Sequence, residues 1–460
     1  MKIALTISIW CVLLDVRAAD AMSQVAVAMG VAAAIAAVYV VYRRRRPPFD
    51  ALVDRGGMFT VKHELTGVIH GAKASGAIQL WVADMELPCC EHIRRALEAR
   101  ARHPIPAGYT FQPPQAWANV AQWLEKYQNW PRCPDPSSFV FSANVVASFA
   151  NLMRVFTRES DGVVVMTPCY SPLQRAVNGC DRRLILHPLA TDRMMKYDLD
   201  LPALSLTLAS QKPAMLLLIN PHNPSGRVWS SVELGALAAL CAEHDVLVVS
   251  DEIWGDWCFE SPSAAGFTPF ARVGALQHCR HVTLSAPTKT FNLAGLHCSY
   301  LIVEDEQLRK AYMDYVEPAT LHYGSAFATE ALLSAFCTTS ASWLAAAKSY
   351  VQDNASFVEQ YLQQNALDEW MRPWPLAATY LLWLDCSGLA ACLERHERRC
   401  ALHTFFIDAG VVLSAGSEFD PTKASDKFMR MNIACSRGML ESALDRIRQA
   451  VHSLVESQCM

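Results

Sequence analysis

The sequence predicts an α/β protein: a mostly parallel sheet with helices on both faces, then a smaller α+β domain, all preceded by a hydrophobic N-terminal segment. Three observations carry this. Six short, nearly unbroken apolar runs alternate with longer amphipathic stretches, and strands lacking a polar face are those covered on both sides by crossover helices. The stretches between them repeat with the 3.6-residue period of a helix packed on a sheet. From about Phe327 the texture changes to long helical patterns with a shorter strand set.

Taken in order, residues 3–14 (IALTISIWCVLL) follow Lys2 and precede Ala18, Ala19 and Ala21, a pattern like a secretory signal with a small-residue cleavage site. Residues 25–42 hold no charge and end at four arginines, 43–46. Eighteen such residues lie at the short end of a membrane-spanning helix, and the arginines would leave the body on the cytosolic side. A membrane anchor at 25–42 with a cytosolic catalytic body is therefore the first expectation. The alternatives are an Arg-rich, nearly acid-free organelle-targeting presequence, or a chain that starts at Met22; the body would then be organellar or cytoplasmic. Residues 49–95 read as an arm belonging to the small domain, 96–326 as the large domain and 327–460 as the small one.

Strands are expected at 163–166, 184–187, 215–219, 246–250, 282–285 and 299–303, with helices at 148–158, 230–244 and 306–316. Further helices follow at 328–337 and 342–364, and strands at 380–385 and 430–434. Charged residues make up 18% and apolar ones 52%, which excludes a disordered chain. The net charge of 40 − 44 = −4 offers no bulk attraction for nucleic acid. The 16 cysteines contain no CxxC pair, which argues against zinc ribbons and dithiol motifs and reads as buried thiols in a reducing compartment.

Three of the strands run into chemistry. The 215–219 strand leads to Asn220-Pro-His-Asn223-Pro-Ser-Gly226, the 246–250 strand to Asp251-Glu-Ile-Trp254, and the 282–285 strand to Ala286-Pro-Thr288-Lys289. Ligands of doubly wound sheets sit beyond the carboxyl ends of the strands, so an amide, a carboxylate and an amine converge at one edge. Pyridoxal phosphate wants that trio: a Lys for its aldehyde, a carboxylate for its pyridine nitrogen, a donor for its ring hydroxyl.

These motifs, in order and at matching spacing over roughly residues 50–455, resemble fold-type I pyridoxal-phosphate enzymes of the aminotransferase class I/II superfamily. More narrowly, they resemble the MalY/PatB-type branch of cystathionine β-lyases and cysteine-S-conjugate β-lyases. Trp81-Val-Ala-Asp84-Met, Gly108-Tyr109-Thr110, Pro168-Cys-Tyr170-Ser-Pro172, Thr379-Tyr380-Leu-Leu-Trp-Leu-Asp385 and Arg430-Met-Asn-Ile-Ala-Cys-Ser-Arg437 carry the narrower likeness. The resemblance implies Lys289 as the cofactor-attaching and catalytic lysine and Asp251 as partner of the pyridine nitrogen. It implies Asn223 at the ring hydroxyl, Tyr170 against the ring face and Arg430 on the substrate carboxylate. Asn144 and Val145 at a helix start, with Thr288, would hold the phosphate. Tyr109 would reach the phosphate of the neighbouring subunit, making a homodimer with shared sites. Asp84 and Tyr380 would border the pocket for the amino-acid substrate.

Each residue also has a plainer reading: Asp251 as a helix cap, Asn223 as a turn residue, Tyr170 as core, Arg430 as a salt bridge, with Arg437 as a rival for the carboxylate. The chain departs from the family at Asn144 and Ala378, where Gly is usual. It departs also at Trp254, where aminotransferases carry a Tyr, and at His297, where some relatives place an Arg. The implied activity is β-elimination from cystathionine or a cysteine S-conjugate; transamination between an amino acid and a 2-oxo acid is the alternative.

Overall fold

A computed structural model describes residues 48–192, 194–259, 266–395 and 402–456. Residues 48–50 form a single 3-10 turn within one unit, 1–50, and residues 51–460 form the second, compact unit. The membrane anchor expected at 25–42 lies outside the described residues. Among the described residues no helix is long and apolar enough to cross a membrane. The membrane-anchored placement of the body is accordingly withdrawn.

The main sheet has seven strands: β1 Phe139–Ser142, β2 Gly162–Thr167, β3 Arg183–Pro188, β4 Met215–Ile219, β5 Leu247–Asp251, β6 His281–Ser285 and β7 Ser299–Ile302. Their order is β1-β7-β6-β5-β4-β2-β3. The neighbours from β6 to β3 pair in parallel, and β7 runs antiparallel to both β6 and β1. The sheet is thus mixed but mostly parallel.

Two cores explain the unbroken apolar strands. Val163, Val165, Leu217 and Val249 face one, while Val164, Leu216, Leu218 and Val248 face the other, and all are essentially without solvent contact. Alternate residues of one strand must serve opposite faces, so a strand between two helix layers has no polar side. A four-stranded antiparallel sheet follows: β8 Arg372–Pro373, β9 Leu381–Asp385, β10 Ser414–Ala415 and β11 Phe428–Asn432, in the order β8-β9-β11-β10. Among the described cysteines most are buried and only Cys133 is exposed.

Candidate active site

The carboxyl ends of adjacent strands bring the site together. Asp251 closes β5 and stands in register with Ile219 of β4 and Leu284 of β6. Beyond β4, the loop to Asn223 is pinned from within. His222 bonds Ser225 Oγ at 2.7 Å and the Pro168 carbonyl at 2.9 Å, tying this loop to the one carrying Tyr170. Burial lowers its imidazole to about 4, so it is neutral. Gly226 has φ +70°, and a Cβ there would stand 2.7 Å from the Ala378 carbonyl, which fixes glycine at the end of the motif.

β6 leads into a short helical turn, Pro287–Thr290, that carries Lys289. Trp257 Nε1 donates to the Lys289 carbonyl at 2.8 Å, and Thr290 donates to buried Asp256 at 2.7 Å. β1 leads into helix α1, Val145–Phe156. Asn144 has an extended backbone (φ −161°), so no left-handed conformation is required where relatives carry Gly. Its side chain accepts from Ala147 N at 2.9 Å as an N-cap. That use commits its carbonyl to the helix and leaves Val145 and Val146 as the helix-start residues on the pocket wall.

Val145, Tyr170, Asn223, Asp251, Trp254 and Lys289 line one pocket together with Ala83. Asp251 is buried and takes one hydrogen bond, from Ile253 N at 3.1 Å. Burial raises its carboxyl to about 7, against pulls from that hydrogen bond and from Lys289. Burial lowers the Lys289 amine to about 8. Its Nζ donates to the Ala83 carbonyl at 2.6 Å and stands 5.7 Å over the Trp254 ring.

Arg430, on β11, is buried and offers Nη1 to Asn223 Oδ1 at 3.0 Å and Nη2 to the Trp81 carbonyl at 2.8 Å. Its buried Nε has no partner. The rival, Arg437, lies elsewhere: it donates to Asn354 at 2.8 Å and stacks over Phe357.

Three expectations change. Asp84 does not line the pocket; its carboxylate pairs with Arg55 at 3.0 Å and Lys62 at 3.4 Å, and the backbone of Ala83 takes its place. Tyr380 is fully buried between Trp254 and Trp257 and donates to the Ala83 carbonyl at 3.1 Å, so it supports the pocket from behind. Thr288 is buried beside Lys289, outside the lining. Tyr109 is fully exposed and does not line this chain's own pocket, which leaves its expected role at a neighbouring subunit's site open; His297 is exposed as well.

The donor set fits pyridoxal phosphate. A buried carboxylate with no hydrogen-bonded cation asks for a protonated ring nitrogen, a helix start offers N–H groups to an anion, and a half-buried amine supplies the nucleophile.

The comparisons agree. The family model for aminotransferase class I and II matches residues 78–447. Cystathionine beta-lyase PatB of Bacillus subtilis (strain 168) is 33% identical over 404 residues, covering 88% of this chain and 99% of that protein. The PLP-bound C-S lyase from Staphylococcus hominis is 26% identical with a TM-score of 0.78, over 88% of this chain and 98% of that one. A PLP-bound putative aminotransferase from Clostridium difficile 630 is 29% identical with a TM-score of 0.80, over 88% and 100%. The lysine, buried carboxylate and buried amide at three adjacent strand ends, on a sheet of this order, belong to a member of the class I and II aminotransferase family, and pyridoxal phosphate is its cofactor.

Proposed function

We propose that the chain is a pyridoxal-phosphate-dependent carbon–sulfur β-lyase acting on cystathionine or cysteine S-conjugates. The observation that carries the reading is the hydrogen bond between Arg430 and Asn223, which joins an amino-acid carboxylate site to the pocket that Asn223 lines with Asp251 and Lys289.

When bound, the cofactor supplies an electrophilic carbonyl and a ring that takes up the electrons of the substrate's Cα–H bond. Val145 and Val146 N–H groups hold the phosphate at the start of α1. Asp251 keeps the ring nitrogen protonated. Tyr170 walls the ring face, and Asn223, its oxygen occupied by Arg430, turns its N–H₂ to the ring hydroxyl. Arg430 receives the α-carboxylate on its unpaired Nε side. Lys289, its amine brought near neutrality by burial, removes the Cα proton. The Cβ–S bond then breaks, the sulfur leaves as a thiol, and water converts the remaining three carbons to pyruvate and ammonia.

The same proposal covers organisation. The arm 49–95, large domain 96–326 and small domain 327–460 are supported by a main sheet lying within 139–302 and a second sheet within 372–432. A homodimer is supported by Tyr109, exposed with Phe111 and Tyr323 along one groove, an apolar patch of the kind a second copy would cover.

The test loads the full chain with cofactor and adds S-ethyl cysteine. Release of ethanethiol and pyruvate, lost in Lys289→Ala, supports the reading. Amino-group transfer to a 2-oxo acid without thiol release overturns it. Borohydride reduction followed by peptide mapping separately asks whether the cofactor is fixed on Lys289.

A further inference from the structure

Residues 81–86 pass the pocket without helix or strand, and side chains take up their carbonyls. Arg430 Nη2 donates to Trp81 O, and Asn432 Nδ2 donates to Val82 O at 2.7 Å and to Asp84 O at 2.6 Å. The Ala83 carbonyl between them receives Lys289 Nζ and the Tyr380 hydroxyl.

Behind this strap lies a buried ion cluster. Lys62 is 1% exposed, with Nζ 2.8 Å from Glu86 Oε1, 3.1 Å from the Asp84 carbonyl and 3.4 Å from Asp84 Oδ1. Arg55 bridges the same two acids at 3.0 and 3.1 Å. Against the opposing effect of burial, His63, Lys62 and Arg55 hold Glu86 down to about 2. Taking such charges out of water is expensive, and a packed apolar side chain would stabilise a fold as well. The cluster does one thing an apolar side chain cannot: it fixes the direction of both acid side chains, and with them the peptide between Asp84 and its neighbour.

We propose that Lys62 and Arg55 are positioning residues for Lys289. They lock Asp84 and Glu86 so that the Ala83 carbonyl stands at the reactive amine, takes one of its N–H groups and fixes where its lone pair points. The inference rests on the reading of Lys289 as the reactive amine. The charges acting on that amine are Asp84 and Asp251, which favour its proton, and Arg430 and Lys62, which oppose it. Removing the Lys62 charge deletes one opposing cation and leaves Asp84 less neutralised, so both effects push the amine toward its protonated form.

The test measures acetic-anhydride labelling of Lys289 against pH in the full, cofactor-free chain, read by peptide mass. The wild-type midpoint is expected near 8. In Lys62→Met it moves up by about one pH unit, which slows labelling at pH 8 about five-fold. Lys62→Arg keeps the wild-type midpoint, and Arg55→Met moves it in the same direction as Lys62→Met by less. If Lys62→Met does not fold, Arg55→Met, whose side chain is partly exposed, decides the matter. A folded variant of lower thermal stability but unchanged midpoint overturns the proposal, as does Lys62→Arg shifting as far as Lys62→Met. Failure of the underlying reading looks different: borohydride leaves no cofactor on Lys289 of the wild-type chain.

Discussion

Arg430 Nη1 donates to Asn223 Oδ1 across 3.0 Å, so the guanidinium proposed for the substrate carboxylate and the amide proposed for the cofactor ring form one hydrogen-bonded unit. Neither can move alone. Arg430→Lys keeps the charge but loses the fork. We expect kcat/KM to fall about 100-fold, the equivalent of roughly 3 kcal/mol for a carboxylate left poorly paired. Steady-state kinetics should place most of the loss in KM. Asn223→Ala should raise KM as well as the cofactor dissociation constant, and the double variant should be non-additive.

In the proposed mechanism Asp251 balances the charge of the ring nitrogen. Asp251→Asn preserves shape but cannot balance a positive ring nitrogen. Cofactor affinity, followed by absorbance titration, should weaken, and turnover should fall by a factor on the order of 100, as when one preorganised charge partner is removed from a water-excluded site. Unchanged turnover would remove Asp251 from the proposed role.

Glu252 lies next to the site yet faces away from the pocket, buried, with Ser250 Oγ at 2.8 Å and Phe270 N at 2.7 Å on one oxygen. Burial raises its carboxyl from 4.5 to about 8. A raised carboxyl binds its proton more tightly folded than unfolded, so its contribution is fully present below about 4.5 and is lost as pH rises through about 8. Glu252→Gln cannot lose that proton. Its melting temperature relative to wild type, measured on the cofactor-free chain, should therefore climb between pH 5 and 8. A flat difference would show that Glu252 is charged in the fold.

Tyr109 is exposed and does not line its own chain's pocket. If it serves the neighbouring subunit, Tyr109→Ala and Lys289→Ala should each be impaired as homodimers. Mixed and refolded together, they should regain activity, because one site then unites Lys289 of one chain with Tyr109 of the other. No recovery in a verified mixed dimer would place Tyr109 outside the site.

The β-strands buried on both faces were legible because a short, unbroken apolar run between amphipathic stretches fits little else than a strand covered by helices. β1 was not. Its four residues, Phe139–Ser142, are too short for periodicity to declare, and nothing local reveals that β7 runs antiparallel. Lys289, Asp251 and Asn223 were legible because each follows a readable strand. The misreadings come from partners distant in sequence. Asp84 is turned from the pocket by Arg55 and Lys62, 29 and 22 residues away. The Ala83 carbonyl had no signal at all, since every residue carries one. At Asn144 the departure from glycine was visible, but not that its backbone is extended and its side chain caps the following helix.

The central claim is that this site breaks a carbon–sulfur bond. The most direct measurement gives the cofactor-loaded full chain L-cystathionine and quantifies homocysteine, pyruvate and ammonia. The account predicts all three in equal amounts over many turnovers, none of them with Lys289→Ala. Consumption of L-cystathionine by amino-group transfer to a 2-oxo acid, with the thioether intact and no pyruvate formed, would contradict it.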